Sequence, residues 1–258
     1  MEARGAGARE QLVERIARLV PERGQECVRV GVDGVDAAGK TTFADELASA
    51  LRDQGRPVVR VRADDFLNVR AVRHRQGRDS PEGFWQDSYN YPALTAGVLT
   101  PFGPGGDRRY RGAAYHLGTD STVDDPHRVA APASVLVLDG LFLHRDELVG
   151  LWDFSVFLDV PFAITAARMA VRDGSHPDPD HPSIARYVQG QRIYLASCDP
   201  ASRARVVVDN SDPARPELIQ GPASGAQQRR GVTAGGGRGE EVRRVGIESA
   251  PHRGELHR

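Results

Sequence analysis

The 258-residue sequence is poor in cysteine, in aromatic residues and in long apolar runs. Cys27 and Cys198 are its two cysteines and have no CxxC spacing, which excludes a disulfide framework and a zinc ribbon. Aromatic residues make up 6% of the chain, so a core must rest on Val, Leu, Ile and Ala. No apolar run approaches the ~20 residues that span a bilayer, and residues 1–10 lack the apolar segment of a signal peptide. We therefore expect a protein of the reducing cytoplasm with no membrane partner.

A charge excess of either sign is also missing. The chain has 34 basic and 35 acidic residues and a formal net charge of -1. This balance argues against a protein that coats nucleic acid, so we expect no specific nucleic-acid partner. Lysine is nearly absent, because Lys40 is the only one and every other basic residue is arginine.

Five short apolar runs predict the strands of a sheet. They cover residues 27–33, 57–62, 135–138, 154–158 and 206–208. Runs of this length suit strands that are buried on both faces, as in a parallel sheet between helix layers. In residues 10–20 and 42–51 the apolar side chains recur at helical spacing, which predicts two helices. The pattern predicts an α/β fold with a doubly wound parallel sheet of about five strands and helices on both faces.

Residues 34–41 match the motif G-x-x-x-x-G-K-T and lie between the first strand and a helix. In such a P-loop, backbone N–H groups surround a phosphate chain, and the helix N-terminus adds partial positive charge. Lys40 would reach the β- and γ-phosphates, and the Thr41 hydroxyl would bind Mg²⁺. The predicted nucleotide-binding residues are Gly34, Val35, Asp36, Ala37, Ala38, Gly39, Lys40, Thr41 and Thr42. We expect a P-loop NTPase-type fold with ATP and Mg²⁺ as cofactors.

Two of the predicted strands end in carboxylates. Asp139 follows an apolar run, and at the end of that strand it would lie beside the P-loop, so Thr41 and Asp139 are the predicted metal residues. Asp64 and Asp65 follow the strand after the P-loop helix, where a carboxylate can accept the proton of an acceptor hydroxyl. A turn or a helix cap is the alternative interpretation of such carboxylates.

The P-loop, residues 63–66, residues 87–94 and residues 138–140 together resemble the uridine kinase/phosphoribulokinase family. The resemblance implies a kinase that transfers the γ-phosphate of ATP to a hydroxyl of a small molecule, first of all a nucleoside such as uridine. It makes Asp64 the catalytic base and places Asp64 and Phe66 at the substrate.

In the same family, a Tyr/Phe-Asp-His-Pro segment holds the ribose hydroxyls of the nucleoside. Tyr89, Asn90 and Tyr91 match that segment and are the other predicted substrate-binding residues. Asn90 replaces the aspartate; it can still hydrogen-bond a hydroxyl, but it carries no charge.

The resemblance also implies a lid whose arginines close over the phosphates. Arg168 and Arg172 stand four residues apart on a predicted helix and would act there, so they join Lys40 and Asp64 as predicted catalytic residues. A solvated helix face is the alternative interpretation of this pair. Arg186 and Arg192 are alternative lid arginines.

The domain prediction is a kinase domain over residues 1–220, with an irregular substrate region at about 65–130 and a lid at about 162–190. Residues 221–258 are rich in glycine and arginine and are predicted to be a disordered tail.

A GTPase is disfavoured, because its guanine-binding N-K-x-D motif needs a second lysine and Lys40 is the only lysine of this chain. Two alternatives stay open: a kinase of another acceptor such as pantothenate, nicotinamide riboside or a sugar phosphate, or a nucleotide-binding regulatory protein with little turnover. The oligomeric state is not specified by these residues.

Overall fold

The computed structural model describes residues 7–221, in which a six-stranded sheet lies between two layers of helices. The strands are β1 (Val28–Gly34), β2 (Val58–Arg62), β3 (Arg109–Tyr110), β4 (Tyr115–His116), β5 (Ser121–Thr122), β6 (Arg128–Val129), β7 (Val135–Asp139), β8 (Phe154–Asp159), β9 (Val206–Asp209) and β10 (Glu217–Gln220). The helices are α1 (Ala8–Leu19), α2 (Lys40–Asp53), α3 (Arg70–Arg73), α4 (Pro81–Asp87), α5 (Tyr91–Leu94), α6 (Asp146–Val149), α7 (Phe162–Asp173), α8 (Ala185–Cys198) and α9 (Pro200–Arg203). Shorter turns are the 3₁₀ segments Ala63–Phe66 and Pro182–Ile184 and the π-helical segment Thr95–Leu99.

The main sheet has the strand order β10-β9-β8-β1-β7-β2. Strands β9, β8, β1, β7 and β2 run parallel, and they are the five strands that the apolar runs predict. The α/β fold is therefore confirmed. Strand β10 is an additional antiparallel edge strand paired with β9. Two of its four residues, Glu217 and Gln220, are polar, and the strand is mostly exposed, so no apolar run in the sequence predicts it.

The two faces of the sheet bury different side chains, because successive residues of a strand point to opposite faces. Val28, Val30 and Val32 of β1 join the apolar cluster that contains α1 and α2. Leu136 and Leu138 of β7 join a second cluster, which contains side chains of α4, α5 and α8. Both central strands, β1 and β7, are buried along their whole length. Burial on both faces explains why their sequences are continuous apolar runs.

The carboxyl ends of β1, β7 and β2 meet at one edge of the sheet. Because these strands are parallel neighbours, the register pairs Val32 of β1 and Arg62 of β2 with Asp139 of β7. Gly140 follows Asp139, and a Cβ there would lie 2.3 Å from the Cβ of Ala63. This close approach places the loop after β1, the end of β7 and the turn after β2 side by side.

Residues 65–130 contain only short elements. Strand β3 pairs with β6 and β4 pairs with β5, each as a two-stranded antiparallel ladder. Phe66, Leu94 and Phe102 anchor this region in the second apolar cluster. Residues 222–258, for which a disordered tail is predicted, lie outside the described residues. In the described part, no helix has the length and apolar character needed to cross a bilayer.

Candidate active site

The loop that joins β1 to α2 contains two residues with left-handed backbone angles, Ala37 and Gly39. Gly39 precedes the first residue of α2 and has φ +93°, a left-handed value that favours glycine. A Cβ at Gly39 would also lie 2.7 Å from Asn210 Nδ2, which itself donates a hydrogen bond to the Ala38 carbonyl at 2.7 Å. The loop therefore needs glycine at this position for its backbone geometry and for its packing.

Two cationic side chains fasten this loop. Lys40 Nζ donates a hydrogen bond across the loop to the Val35 carbonyl at 2.8 Å. Arg168 of α7 donates to the Ala37 carbonyl at 3.2 Å and to the carbonyls of Asn210 and Ser211 at 2.8 and 2.9 Å. Positive charge is thus concentrated at the N-terminal end of α2, where the helix dipole already favours an anion.

Thr41 and Asp139 lie in direct contact at the edge of the sheet. Thr41 Oγ1 donates a hydrogen bond of 2.6 Å to Asp139 Oδ2, and Arg60 Nη2 donates to Asp139 Oδ1 at 2.8 Å. Mg²⁺ prefers hard oxygen ligands and is commonly held by one or two protein oxygens together with water and substrate phosphates. The hydroxyl and the carboxylate fit that requirement. Within residues 7–221 no cluster of three or more His, Cys, Asp or Glu side chains could hold a metal ion.

Two clefts adjoin at this edge. The P-loop cleft has a volume of about 340 Å³ and is lined by Asp36, Ala37, Gly39, Lys40, Thr41, Thr42, Asp64, Asp139, Gly140, Leu141, Arg168 and Arg172. The adjoining cleft has a volume of about 360 Å³, and its walls include Tyr89, Tyr115 and Arg186. Asp36, Asp64 and Leu141 line both clefts, so these three residues mark where they meet.

Asp64 lies on the 3₁₀ turn after β2, at the junction of the clefts. The buried hydroxyl of Tyr89 donates a hydrogen bond to Asp64 Oδ1 at 2.9 Å. Burial, and then the negative charge of Asp64, raise the pKa of Tyr89 well above its usual value, so the phenol keeps its proton. The Tyr89 hydroxyl therefore holds the Asp64 carboxylate by one oxygen, Oδ1, and the role of Asp64 as a base stays a prediction.

Asp36 is a second, half-buried carboxylate at the same junction. Gln191 of α8 accepts a hydrogen bond from the Asp36 backbone N–H at 2.6 Å and donates one to Asp36 Oδ2 at 3.0 Å. Desolvation raises the pKa of Asp36, the Lys40 charge opposes that rise, and the Asp64 charge adds to it. Two neighbouring carboxylates therefore share the space between the clefts, and Gln191 ties one of them to α8.

The remaining predicted substrate residues do not line either cleft. The Phe66 ring is buried in the second apolar cluster. Asn90 Oδ1 accepts a hydrogen bond from the Ala93 N–H at 3.0 Å and caps the short helix α5. The Tyr91 ring packs against the Arg145 guanidinium, with 4.2 Å between Arg145 Cζ and the centroid of the ring. The structure brings Asp64 and Tyr89 together, and a substrate contact by these three residues stays a prediction.

The two predicted lid arginines have different surroundings. Arg168 is held by backbone carbonyls around the P-loop, as described above. Arg172 is exposed one turn further along α7 and pairs with its neighbour Asp173 at 2.8 Å. Both line the P-loop cleft. Arg168 therefore stabilises the loop, whereas contact of Arg172 with a bound phosphate stays a prediction.

Sequence reasoning missed several residues that organise this edge. Asp33 is fully buried at the end of β1, and its Oδ2 accepts hydrogen bonds from Tyr194, from the Leu143 N–H and from the His144 N–H. The sequence did contain a signal for Asp33, because an acidic residue is unusual in a strand that is otherwise apolar and buried. Gln191 and Asn210 carry no local signal, because both reach the P-loop from distant parts of the chain.

Comparison with known proteins identifies a family and a fold. The model of the phosphoribulokinase/uridine kinase family matches residues 29–184. A uridine kinase of Shewanella amazonensis is 31% identical over 156 residues, which are 58% of this chain and 70% of that protein. A uridine kinase of Shewanella denitrificans is 28% identical over 190 residues, which are 69% of this chain and 85% of that protein.

Solved structures show the same fold. A protein of Bacillus stearothermophilus described as a possible uridine kinase superimposes with a TM-score of 0.59. The match covers 77% of this chain and 96% of that chain at 24% sequence identity. At this identity the likeness shows the fold alone.

Proposed function

Because the chain belongs to the phosphoribulokinase/uridine kinase family, whose members are phosphotransferases with a hydroxyl acceptor, we propose that it uses ATP and Mg²⁺ to phosphorylate a hydroxyl of a small molecule. The observation that carries the proposal is the position of Asp64. Its carboxylate lies where the P-loop cleft meets the adjoining cleft. A proton acceptor at such a junction can serve a hydroxyl that enters from one cleft and attacks a phosphate held in the other.

The P-loop side of the reaction uses charge and position. Lys40 and the N-terminus of α2 bind the triphosphate, and Thr41 and Asp139 would hold Mg²⁺, which supplies charge neutralisation on the phosphate oxygens. Arg168 keeps the loop in shape through its backbone contacts. Arg172 closes onto the phosphates and helps to exclude water, which would otherwise hydrolyse ATP.

The acceptor side is the adjoining cleft. Asp64 Oδ2 accepts the proton of the attacking hydroxyl while Tyr89 holds Oδ1. The names of the relatives favour a nucleoside such as uridine as the first acceptor to test. Another small hydroxyl compound is the second candidate, and the guanidinium of Arg186 in the adjoining cleft favours one that carries negative charge.

The experiment that tests the proposal measures ADP release with Mg·ATP over a panel of nucleosides, vitamins, sugars and sugar phosphates. We expect ADP release that requires both Mg²⁺ and one class of acceptor. The Lys40→Ala variant should give none while its circular dichroism spectrum stays that of the wild type. If no compound in the panel stimulates ADP release, the kinase proposal fails and a nucleotide-binding regulatory protein is favoured.

A further inference from the structure

The adjoining cleft has opposite charges at its two ends. Asp36 and Asp64 stand at the end shared with the P-loop cleft. Arg73, His74 and Arg186 line only the adjoining cleft, away from that junction. A third arginine of this cleft, Arg62, is already paired with Asp65 at 3.2 Å. The cleft therefore offers a proton acceptor at the junction and, away from it, two guanidinium groups of which Arg73 is paired with Asp120 and Arg186 forms no ion pair with a described residue.

Arg186 is a buried cation whose hydrogen bonds go to neutral backbone groups. Its side chain donates to the carbonyl of Arg78 and, at 2.8 Å, to the carbonyl of Arg73. Its Nε is buried without a hydrogen-bond partner, and the residue is 8% exposed. A buried guanidinium that forms no ion pair costs free energy, and an anion that binds to it recovers part of that cost.

Arg73 adds a second unsatisfied donor on the same wall. Its Nη2 donates to the Tyr115 hydroxyl at 3.0 Å and lies 3.4 Å from Asp120. Asp120 Oδ1 already accepts shorter hydrogen bonds from Tyr115 and from the Arg70 N–H, both 2.9 Å. The Nε of Arg73 is buried without a partner, as in Arg186.

The electrostatic potential around Arg73, His74 and Arg186 is positive. His74 is in the same wall, and its pKa is lowered by desolvation and then by the positive charges of Arg186, Arg73, Arg78 and Arg70. A neutral nucleoside would bring no anion to the two guanidinium groups whose Nε atoms lack a partner, those of Arg73 and Arg186. A phosphate or a carboxylate matches the planar donor fork of arginine.

We propose that the acceptor is a small hydroxyl compound that also carries an anionic group, a phosphate or a carboxylate, bound by Arg73 and Arg186 while its hydroxyl faces Asp64. This inference rests on the proposed kinase function and specifies its substrate class. It predicts that charge on the acceptor, rather than a nucleobase, determines recognition.

The turnover test compares acceptors in matched neutral and charged pairs. Suitable pairs are ribose with ribose 5-phosphate and glycerol with glycerate, which also separate phosphate from carboxylate. We expect the charged member of at least one pair to have a KM at least about 10-fold lower than its neutral partner. Arg73→Met should raise that KM by about 10- to 100-fold and leave the KM for ATP unchanged.

Matched variants separate a charge effect from a folding effect. Arg186→Met should act like Arg73→Met, and Arg186→Lys should recover part of the affinity, because it restores the charge without the fork. Arg109→Met removes an exposed arginine that lines neither cleft and should leave every KM unchanged. Thermal melting of each variant verifies that it is folded.

A binding measurement distinguishes failure of this inference from failure of the kinase proposal. With the P-loop cleft saturated by Mg²⁺ and a non-hydrolysable ATP analogue, inorganic phosphate is titrated calorimetrically into wild type, Arg73→Met and Arg109→Met. We expect heat of binding for wild type and Arg109→Met and none for Arg73→Met, even if no acceptor turns over. Efficient, Arg73-independent phosphorylation of uridine would overturn the anionic acceptor and leave the kinase function intact. Absence of phosphate binding to the wild type, together with no preference for the charged member of any pair, would also overturn it.

Discussion

Asp64 is held at the meeting point of the two clefts by the turn that carries it and by one hydrogen bond. The turn follows β2 directly, and the Tyr89 hydroxyl binds one carboxylate oxygen. Its neighbour Asp65 has a different environment, because Arg62 pairs with it at the surface. Two adjacent carboxylates of the same type thus have different surroundings, and only Asp64 lines the P-loop cleft.

Asp64→Asn should therefore lower kcat by about 100-fold or more, because the amide cannot accept the proton of the attacking hydroxyl. The affinity for ATP should change little, since Asp64 makes none of the contacts that shape the P-loop. Steady-state kinetics with the acceptor identified in the panel measure both quantities. Asp65→Asn is the matched control and should retain most of the activity; equal losses in the two variants would remove Asp64 from the role of base.

At the scale of elements, helix α8 connects the two clefts to the second apolar layer. It carries Arg186 and Gln191 at the clefts and packs against α4 through Gly190. A Cβ at Gly190 would lie 2.8 Å from Phe84 Cδ1 and 2.8 Å from the Pro81 carbonyl oxygen. The close approach of the two helices thus depends on the missing side chain.

Gly190→Ala should lower the free energy of unfolding by about 1–2 kcal/mol. Overpacking costs about 1–3 kcal/mol, and the better helix propensity of alanine returns up to about 1 kcal/mol. Urea unfolding followed by circular dichroism measures the difference. Ser197→Ala, on the exposed side of the same helix, is the control and should be neutral or slightly stabilising. A Gly190→Ala protein more stable than the wild type would show that α4 and α8 can separate at no cost.

For the molecule as a whole, binding at the edge of the sheet is coupled to the stability of the fold. The P-loop is tied to α7 by Arg168, to α8 by Gln191 and to the segment after β9 by Asn210. These contacts come from elements that are far apart in the chain and that pack together only in the folded state. A ligand of the P-loop therefore binds the folded protein and not the unfolded chain.

Mg·ATP at a concentration 100 times its Kd should stabilise the protein by about 2.7 kcal/mol. For a chain of this size that corresponds to a rise in Tm of about 5–10 °C. Differential scanning fluorimetry with and without Mg·ATP measures the rise. Lys40→Ala should lose most of it, and Mg²⁺ alone should give little; the same rise in Lys40→Ala would place nucleotide binding outside the P-loop.

Local patterns in the sequence determined the P-loop, the five parallel strands and the carboxylates at their ends. These features depend on neighbouring residues, because a buried strand needs a continuous apolar run and a phosphate-binding turn needs small residues before Lys40. The parallel sheet then brings Thr41 and Asp139 into contact, so that part of the site followed from the topology.

Only the tertiary structure decided how the adjoining cleft is built. Gln191 reaches Asp36 across 155 residues, and Arg186 reaches the carbonyl of Arg73 across 113. It likewise decided that Asn90 caps a helix and that Phe66 lies in the core. The physical reason is that chain periodicity reports which residues are buried, whereas the direction and partners of a polar side chain depend on segments that meet only after folding.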